Sequence, residues 1–136
     1  MADPCIFCRI VAGEIPATRV REDAQTLAFM DTAPATRGHA LVVPKRHSED
    51  LWSIAPEDLA ATARAAQDVA RLARDNLGAG GVNLLNSCRP EAWQTVFHFH
   101  IHVIPRYVDD PLRLPWIPAP GVTDEIARAG EELRGG

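Results

Sequence analysis

The sequence predicts an α+β fold. The expected form is an antiparallel sheet of about five strands, with one long helix between the third and fourth and short helices near both ends. Three observations predict it. Residues 56–77 carry apolar side chains at helical spacing, bounded by Pro56 and Gly78. Short runs at 18–21, 26–30, 39–43, 81–86 and 97–104 read as strands separated by turn residues. Finally, residues 94–106, Q-T-V-F-H-F-H-I-H-V-I-P-R, alternate histidines with Phe99, Ile101 and Val103. Side chains of a strand alternate in direction, so His98, His100 and His102 share one face and the apolar residues face a core.

In chain order, Cys5-Ile6-Phe7-Cys8 leads into a short helix over Arg9–Ala12, ended by Gly13. The runs 18–21 and 26–30 make a hairpin around Glu22-Asp23, and 33–38 is loop chemistry. The strand beginning at His39 is stopped by Pro44. In the long helix Pro56 suits the first position, Glu57 and Asp58 complement the positive end of the dipole, and Gly78 suits the C′ position. Its stripe is Leu59, Ala63, Ala66, Val69, Ala70, Ala73 and Leu77. Because it is mostly alanine, another surface can approach closely, either the chain's own sheet or a second copy. Pro105 closes the histidine strand. Four prolines make 109–121 an extended tail, and a last short helix covers about 123–133.

At 136 residues the chain reads as one domain, 1–136, with 109–136 as a Pro-rich tail and short helix. Apolar content of 46% and charged content of 24% are those of a soluble globular protein. A net charge of −4 offers no basic field for a nucleic-acid backbone, so no nucleic-acid partner is expected. No apolar run is long enough to span a membrane. Met1-Ala2-Asp3-Pro4 lacks the features of a secretory signal, and three cysteines make a disulfide framework improbable. The expected compartment is the cytoplasm.

Neighbouring imidazoles on one strand face sit about 7 Å apart. A neutral imidazole is a competent nucleophile when one nitrogen keeps its lone pair and an acceptor holds the other N–H. His100, flanked on both sides, is the candidate. Two other readings stand beside it: histidines satisfied within a core, and a three-histidine catalytic metal site.

H-F-H-I-H-V-I at 98–104 resembles the signature of the histidine triad (HIT) hydrolases and nucleotidyl transferases. C-I-F-C at 5–8, A-F-M-D at 28–31, G-H-A-L-V-V-P-K-R-H at 38–47 and Asn86 extend the resemblance. It implies a HIT-like fold and a homodimer joined by the long helix and an adjacent strand, with a continuous sheet across it. It also implies attack by His100 on the α-phosphorus of a purine, above all adenosine, nucleotide. The nucleotidyl-histidine formed is then cleaved by water. The substrates implied are nucleoside phosphoramidates, acyl-adenylates or dinucleoside polyphosphates. The alternatives are a transferase or phosphorylase, and a nucleotide-binding module with little turnover. Related uridylyltransferases carry H-P-H, and Phe99 argues against that branch.

The resemblance assigns His102, His39 and His98 as supporting groups of the catalytic ring. Asn86, Gln94 and Thr95 form a polar collar with Val96 beside it. Ile6, Phe7, Ile10, Phe29 and Leu41 sandwich the base, and Asp31 accepts from the ribose hydroxyls. The structural alternatives are ordinary core packing for the apolar set and a turn acid for Asp31. The loop 87–93 is about one residue longer than in relatives and holds Trp93 where small residues are common. Some bacterial members bind zinc with residues matching Cys5, Cys8, His47 and His98. Two thiolates and two imidazoles suit a closed structural Zn²⁺ site. A redox pair or two small buried apolar cysteines are the other readings of Cys5-x-x-Cys8. No organic cofactor is expected.

Overall fold

The computed structural model of the chain describes residues 4–135; Met1-Ala2-Asp3, read above for an export signal, and Gly136 lie outside the described residues. Five strands, β1 (Arg19–Glu22), β2 (Thr26–Met30), β3 (Ala40–Pro44), β4 (Gly81–Leu85) and β5 (Ile101–Arg106), form one sheet in the order β1-β2-β3-β5-β4. Every pairing is antiparallel. The helices are α1 (Ile6–Val11), α2 (Pro56–Leu77) and α3 (Thr123–Leu133). No described helix is long and apolar enough to cross a membrane.

The period-2 pattern divides the core in two. Ala28, Ala40, Val42, Phe99, Ile101 and Val103 bury against Ala65, Ala66 and Val69 of α2. Leu27, Phe29, Leu41 and Val43 point the other way and meet Phe7 and Ile10 of α1. Burying each such aliphatic or aromatic side chain contributes about 1.5–3 kcal/mol, so both faces of the middle strands carry packing energy.

Three expected boundaries shift by two residues or more, the others by at most one. The ladder of β5 starts at Ile101, not Phe97, because Phe99 N–H donates to Ser48 O (2.7 Å) in the loop after β3. His98 and His100 therefore precede the strand, although Phe99 still buries on the face of Ile101 and Val103. The strand also runs through Pro105 to Arg106. Pairing with β3 ends at Val103, so Pro105 pairs only with Val82 of β4. Lastly, α1 begins at Ile6 rather than Arg9, because the thiol of Cys5 serves as its N-cap and accepts from Cys8 N–H.

The bounds of α2 are those predicted, with Pro56 in its first turn and Gly78 left-handed at φ 71°. Its buried face is Asp58, Ala61, Thr62, Ala65, Ala66, Val69 and Ala73, whereas Ala63 of the expected stripe is exposed. Thr62 hides its hydroxyl by donating to Asp58 O (2.7 Å), which lets a polar residue join the apolar face. Asp58 takes both arms of Arg46 at 2.8 and 3.0 Å. That fork ties the loop after β3 to the first turn of the helix.

Gly38 allows the close approach that precedes β3. At φ 89° a side chain would be strained, and its Cβ would collide with Leu77 and lie 3.2 Å from Pro105 Cγ. Beyond β5 the chain is tied down as far as Asp110, which accepts from Arg106, Tyr107 N–H and Leu112 N–H. After that, residues 113–122 and α3, apart from half-buried Gly130, are exposed.

Candidate active site and metal centre

His100 is 5% exposed, and its ring is fixed from behind. Its Nδ1 lies 2.7 Å from the carbonyl oxygen of His98, an atom that can only accept. Nδ1 therefore carries the proton and Nε2 keeps its lone pair. Asn86 Nδ2–H donates to the carbonyl of His100 (2.9 Å), and the ring of Phe7 stands edge-on at 5.1 Å. Burial lowers the pKa of His100, against the opposing pull of the His98 hydrogen bond and Asp31. His102 is lowered to about 4, by burial first and then by repulsion from His100 and His39, with Asp31 opposing. Burial also lowers His39, partly offset by Asp31. The three rings are neutral near pH 7.

His100 and His102 line one end of a cavity of about 600 Å³. Ile6, Phe7, Ile10, Phe29, Leu41 and Val96 form its apolar walls. Asp31 and Thr95 also line it, with Pro16, Ala17, Thr18, Met30 and Thr32, which sequence reasoning missed. Residues 16–18 come from the approach to β1, where no polar or glycine signal marks a wall. Asp31 divides its oxygens: Oδ1 accepts from Ala33 N–H (2.8 Å) as a turn acid does, and Oδ2 lies 3.5 Å from His39 Nε2. On β3 and β5, Leu41 pairs with His102, which puts the apolar wall and the imidazole side by side.

Two members of the expected polar collar do not line the cavity. Gln94 is 4% exposed and fully engaged. Its Oε1 accepts from Arg89 N–H (2.7 Å), and its Nε2 donates to Glu49 O (2.8 Å) and Val96 O (3.1 Å). It braces the loop that carries Thr95. Asn86 holds the backbone of His100, and its Oδ1 is buried without a hydrogen-bond partner among the described residues. Trp93 is 66% exposed and left-handed at φ 75°. Arg89, at the other end of the turn Pro90–Ala92, has the same φ.

His39 and His98 do not line the cavity either. Nδ1 of His39 accepts from Ala35 N–H (2.9 Å), and its Nε2 lies 2.9 Å from His102 Nδ1. His98 is fully buried and faces away. Its Nε2–H donates to Pro44 O (2.8 Å), leaving a lone pair on Nδ1. That nitrogen is 3.4 Å from Cys5 Sγ, 3.5 Å from Cys8 Sγ and 3.2 Å from His47 Nδ1. Cys8 Sγ is 3.4 Å from His47 Nδ1, and all four ligand atoms lie within 4.8 Å of one another. Zn–S bonds of about 2.3 Å and Zn–N bonds of about 2.0–2.1 Å in a tetrahedron separate ligand atoms by roughly 3.3–3.8 Å. The four residues fit such an ion.

Asp31, His39 and His102 also cluster. The donor of Ala35 requires the lone pair of His39 at Nδ1, so a neutral ring carries its proton at the Nε2 that a metal would need. The reading of the triad itself as one metal site fails on direction: Nδ1 of His98 turns to the cysteines while His100 faces the cavity. Cys88 forms no disulfide and belongs to neither cluster.

Comparison with known proteins agrees with this arrangement. The family model described as HIT domain matches residues 12–109. Protein hit of Bacillus subtilis is 44% identical over 106 residues, 78% of this chain and 73% of that protein. Adenosine 5'-monophosphoramidase hnt1 of Schizosaccharomyces pombe is 36% identical over 130 residues, 95% of each chain. A solved structure of a zinc-bound histidine triad family protein from Mycobacterium smegmatis superposes with a TM-score of 0.79 at 41% identity, covering 97% of this chain and 96% of that one. With a match over most of its length, and with the fold of such a relative, this chain belongs to the HIT, or histidine triad, family.

Proposed function

We propose that the chain is a nucleotide hydrolase that cleaves a bond at the α-phosphorus of an adenosine phosphoramidate, an acyl-adenylate or a dinucleoside polyphosphate. The observation that carries this is the His100 ring. Its Nδ1–H is held by a carbonyl, and its Nε2 lone pair is presented at a cavity with room for a nucleotide. The phosphoramidase name of the fission-yeast relative supports the substrate class.

In this reading Ile6, Phe7, Ile10, Phe29, Leu41 and Val96 hold the base, and Oδ2 of Asp31 accepts from the ribose. Nε2 of His100 forms a bond to phosphorus as the bond to the leaving amine, carboxylate or phosphate breaks. A leaving amine takes a proton from solvent, and the water of the next step gives one back. Water then displaces the imidazole, releasing the nucleoside monophosphate and restoring the neutral ring. His102 and Thr95 stand where charge develops on the phosphoryl oxygens. Asn86 and Gln94 act from behind, through the backbone of His100 and the loop under Thr95.

Cys5, Cys8, His47 and His98 would hold zinc, which in a closed site supplies a cross-link and no open position for chemistry. We propose the homodimer contact at the edge strand β4, where Leu84 and Leu85 are exposed, and at the side of α2 that carries exposed Ala63 and half-buried Ala60 and Ala70. The experiment is intact-mass detection of a nucleotidyl adduct after mixing with adenosine phosphoramidate. A single added nucleotidyl group, absent in His100→Ala, is expected. Near-normal hydrolysis by His100→Ala overturns the assignment.

A further inference from the structure

A second cavity, of about 510 Å³, lies on the other face of the sheet, where α2 packs and α1 does not. Its volume falls within the range of about 300–1,000 Å³ found for small-molecule sites. Val20 of β1, Met30 of β2 and Val69, Leu72 and Leu77 of α2 wall it. The fold explains the space. β1 is the edge strand beyond those that α2 covers, which leaves a wedge between the outer hairpin and the helix. Arg21 of β1 pins one end of the wedge by its ion pair with Asp68 (2.9 Å), and the tight approach of Gly38 to Leu77 closes the other. At 1.5 Å per residue the two ends are about 13 Å apart along the helix.

The cavity is apolar with a positive rim. No carboxylate lines it. Asp68 and Asp75, one turn to either side of Leu72, are already paired, with Arg21 (2.9 Å) and Arg74 (2.7 Å). Arg37 differs. Its backbone is fixed, because Tyr107 Oη–H donates to Arg37 O (2.7 Å), yet its guanidinium makes no hydrogen bond or ion pair among the described residues. Asn76 lines the same end, and its side-chain amide is also unengaged among the described residues. Leu72 stands about 180° round α2 from Ala63 and about 200° from Ala70, so the homodimer contact proposed above leaves the cavity open.

We propose that this cavity binds a free medium-chain monocarboxylate such as octanoate. The carboxylate meets Arg37 and Asn76 at the Gly38 end, and the alkyl chain lies along Leu72, Val69 and Val20 towards the Arg21–Asp68 pair. Aliphatic walls with no aromatic ring among them suit a flexible chain, and one unpaired cation at the rim suits one anionic head group. The site is separate from the nucleotide cavity and stands whether or not the nucleotidyl-transfer reading does. Met30 alone among the described residues lines both.

The experiment titrates the methyl-labelled full chain with octanoate below its micelle concentration and records methyl spectra. Val69, Leu72 and Leu77 report on this cavity, and Ile6, Ile10 and Leu41 on the other. Saturable shifts are expected in the first set only. Hexanoate should bind roughly tenfold more weakly, as for the loss of two partly buried methylenes. Octylamine, with the same chain and the opposite charge, should bind at least about tenfold more weakly, and Arg37→Gln should weaken octanoate about tenfold, as for one charged hydrogen bond. Arg37 is exposed and Leu72 is 38% exposed, so neither Arg37→Gln nor Leu72→Glu disturbs the core. Leu72→Glu places a carboxylate in the wall and should abolish binding. Shifts confined to the nucleotide cavity, the absence of saturable shifts, equal affinity of the parent and Arg37→Gln, or binding retained by Leu72→Glu overturns the proposal. So does dissociation of associated chains by octanoate in sedimentation, which would make a second copy the occupant.

Discussion

His98 and His100 are coupled through the backbone: the carbonyl of the first holds Nδ1–H of the second at 2.7 Å, while the ring of the first turns to Cys5 and Cys8. One residue thus belongs to the candidate metal cluster by its side chain and holds the proposed nucleophile by its main chain. The ring of Phe7, between the two cysteines in sequence, stands edge-on to both histidines at 5.9 and 5.1 Å.

That coupling predicts the behaviour of His47→Ala. His47 is exposed, so the substitution leaves the core intact while removing one of four ligands. The purified variant should carry little zinc by elemental analysis. A chelator should lower the melting temperature of the parent and leave that of the variant unchanged. A parent purified without metal and indifferent to the chelator would refute the zinc assignment.

His102 predicts a pH dependence of stability. Its pKa is about 4 in the folded chain and 6.5 as the ordinary value. Between these the unfolded chain binds the proton and the folded one does not, so stability falls as pH drops from about 6.5 towards 4 and is unaffected by this group above that window. Urea unfolding of the parent and of His102→Asn across pH 4–8 should show a shallower decline in the variant. Identical slopes would contradict the lowered value.

Trp93 stands at φ 75°, which costs a residue with a side chain roughly 1–2 kcal/mol relative to glycine. Glycine's greater freedom when unfolded returns part of that, so Trp93→Gly should stabilise by about 0.5–1 kcal/mol in denaturant unfolding. Arg89, at φ 75° and ψ 161°, lies in a region that only glycine enters readily, so Arg89→Gly relieves more strain. It also loses the contact with Asp50 (3.5 Å) and the guanidinium over Phe97 (5.5 Å), so its net change should stay in the same range.

Arg46→Ala leaves the carboxylate of Asp58, 7% exposed, without its partner. An unpartnered buried group of this kind costs about 1–3 kcal/mol. Because Arg46 precedes His47, zinc affinity in a competition assay should weaken along with stability. Loss of stability with metal affinity unchanged would show that the fork holds only the helix.

Much of this was legible in the sequence because it rests on local rules. The bounds of α2 and α3 follow from Pro56, Gly78 and the helical spacing, and the two faces of the sheet follow from strict alternation. The start of β5 was not legible, since Phe99 N–H is claimed by Ser48, fifty-one positions earlier, and no pattern records such a bond. Gln94 looked like a cavity residue because its type suits a phosphate. What it does depends on Arg89 and Glu49 converging on it in space. In α2, Ala63 and Ala61 are the same residue type, and only the position of the sheet decides which is covered. The part of the site the sequence could not show is the set of backbone atoms, Ala35 N–H, His98 O and Pro44 O, that orient the rings of His39, His100 and His98.

Ile6, Phe7 and Ile10 wall the cavity from a helix of six residues near the beginning of the chain, yet the contact of Cys5 with His98 spans 93 positions. During synthesis Phe7 and Ile10 can meet Leu27, Phe29, Leu41 and Val43 early, but Cys5 and Cys8 have no His98 to meet until the triad segment has left the ribosome. Closing so long a loop is an entropic expense that comes before any reward. The cavity proposed for the nucleoside is therefore among the last features to be completed, and truncated chains ending before residue 98 lack the His100 and His102 that line it.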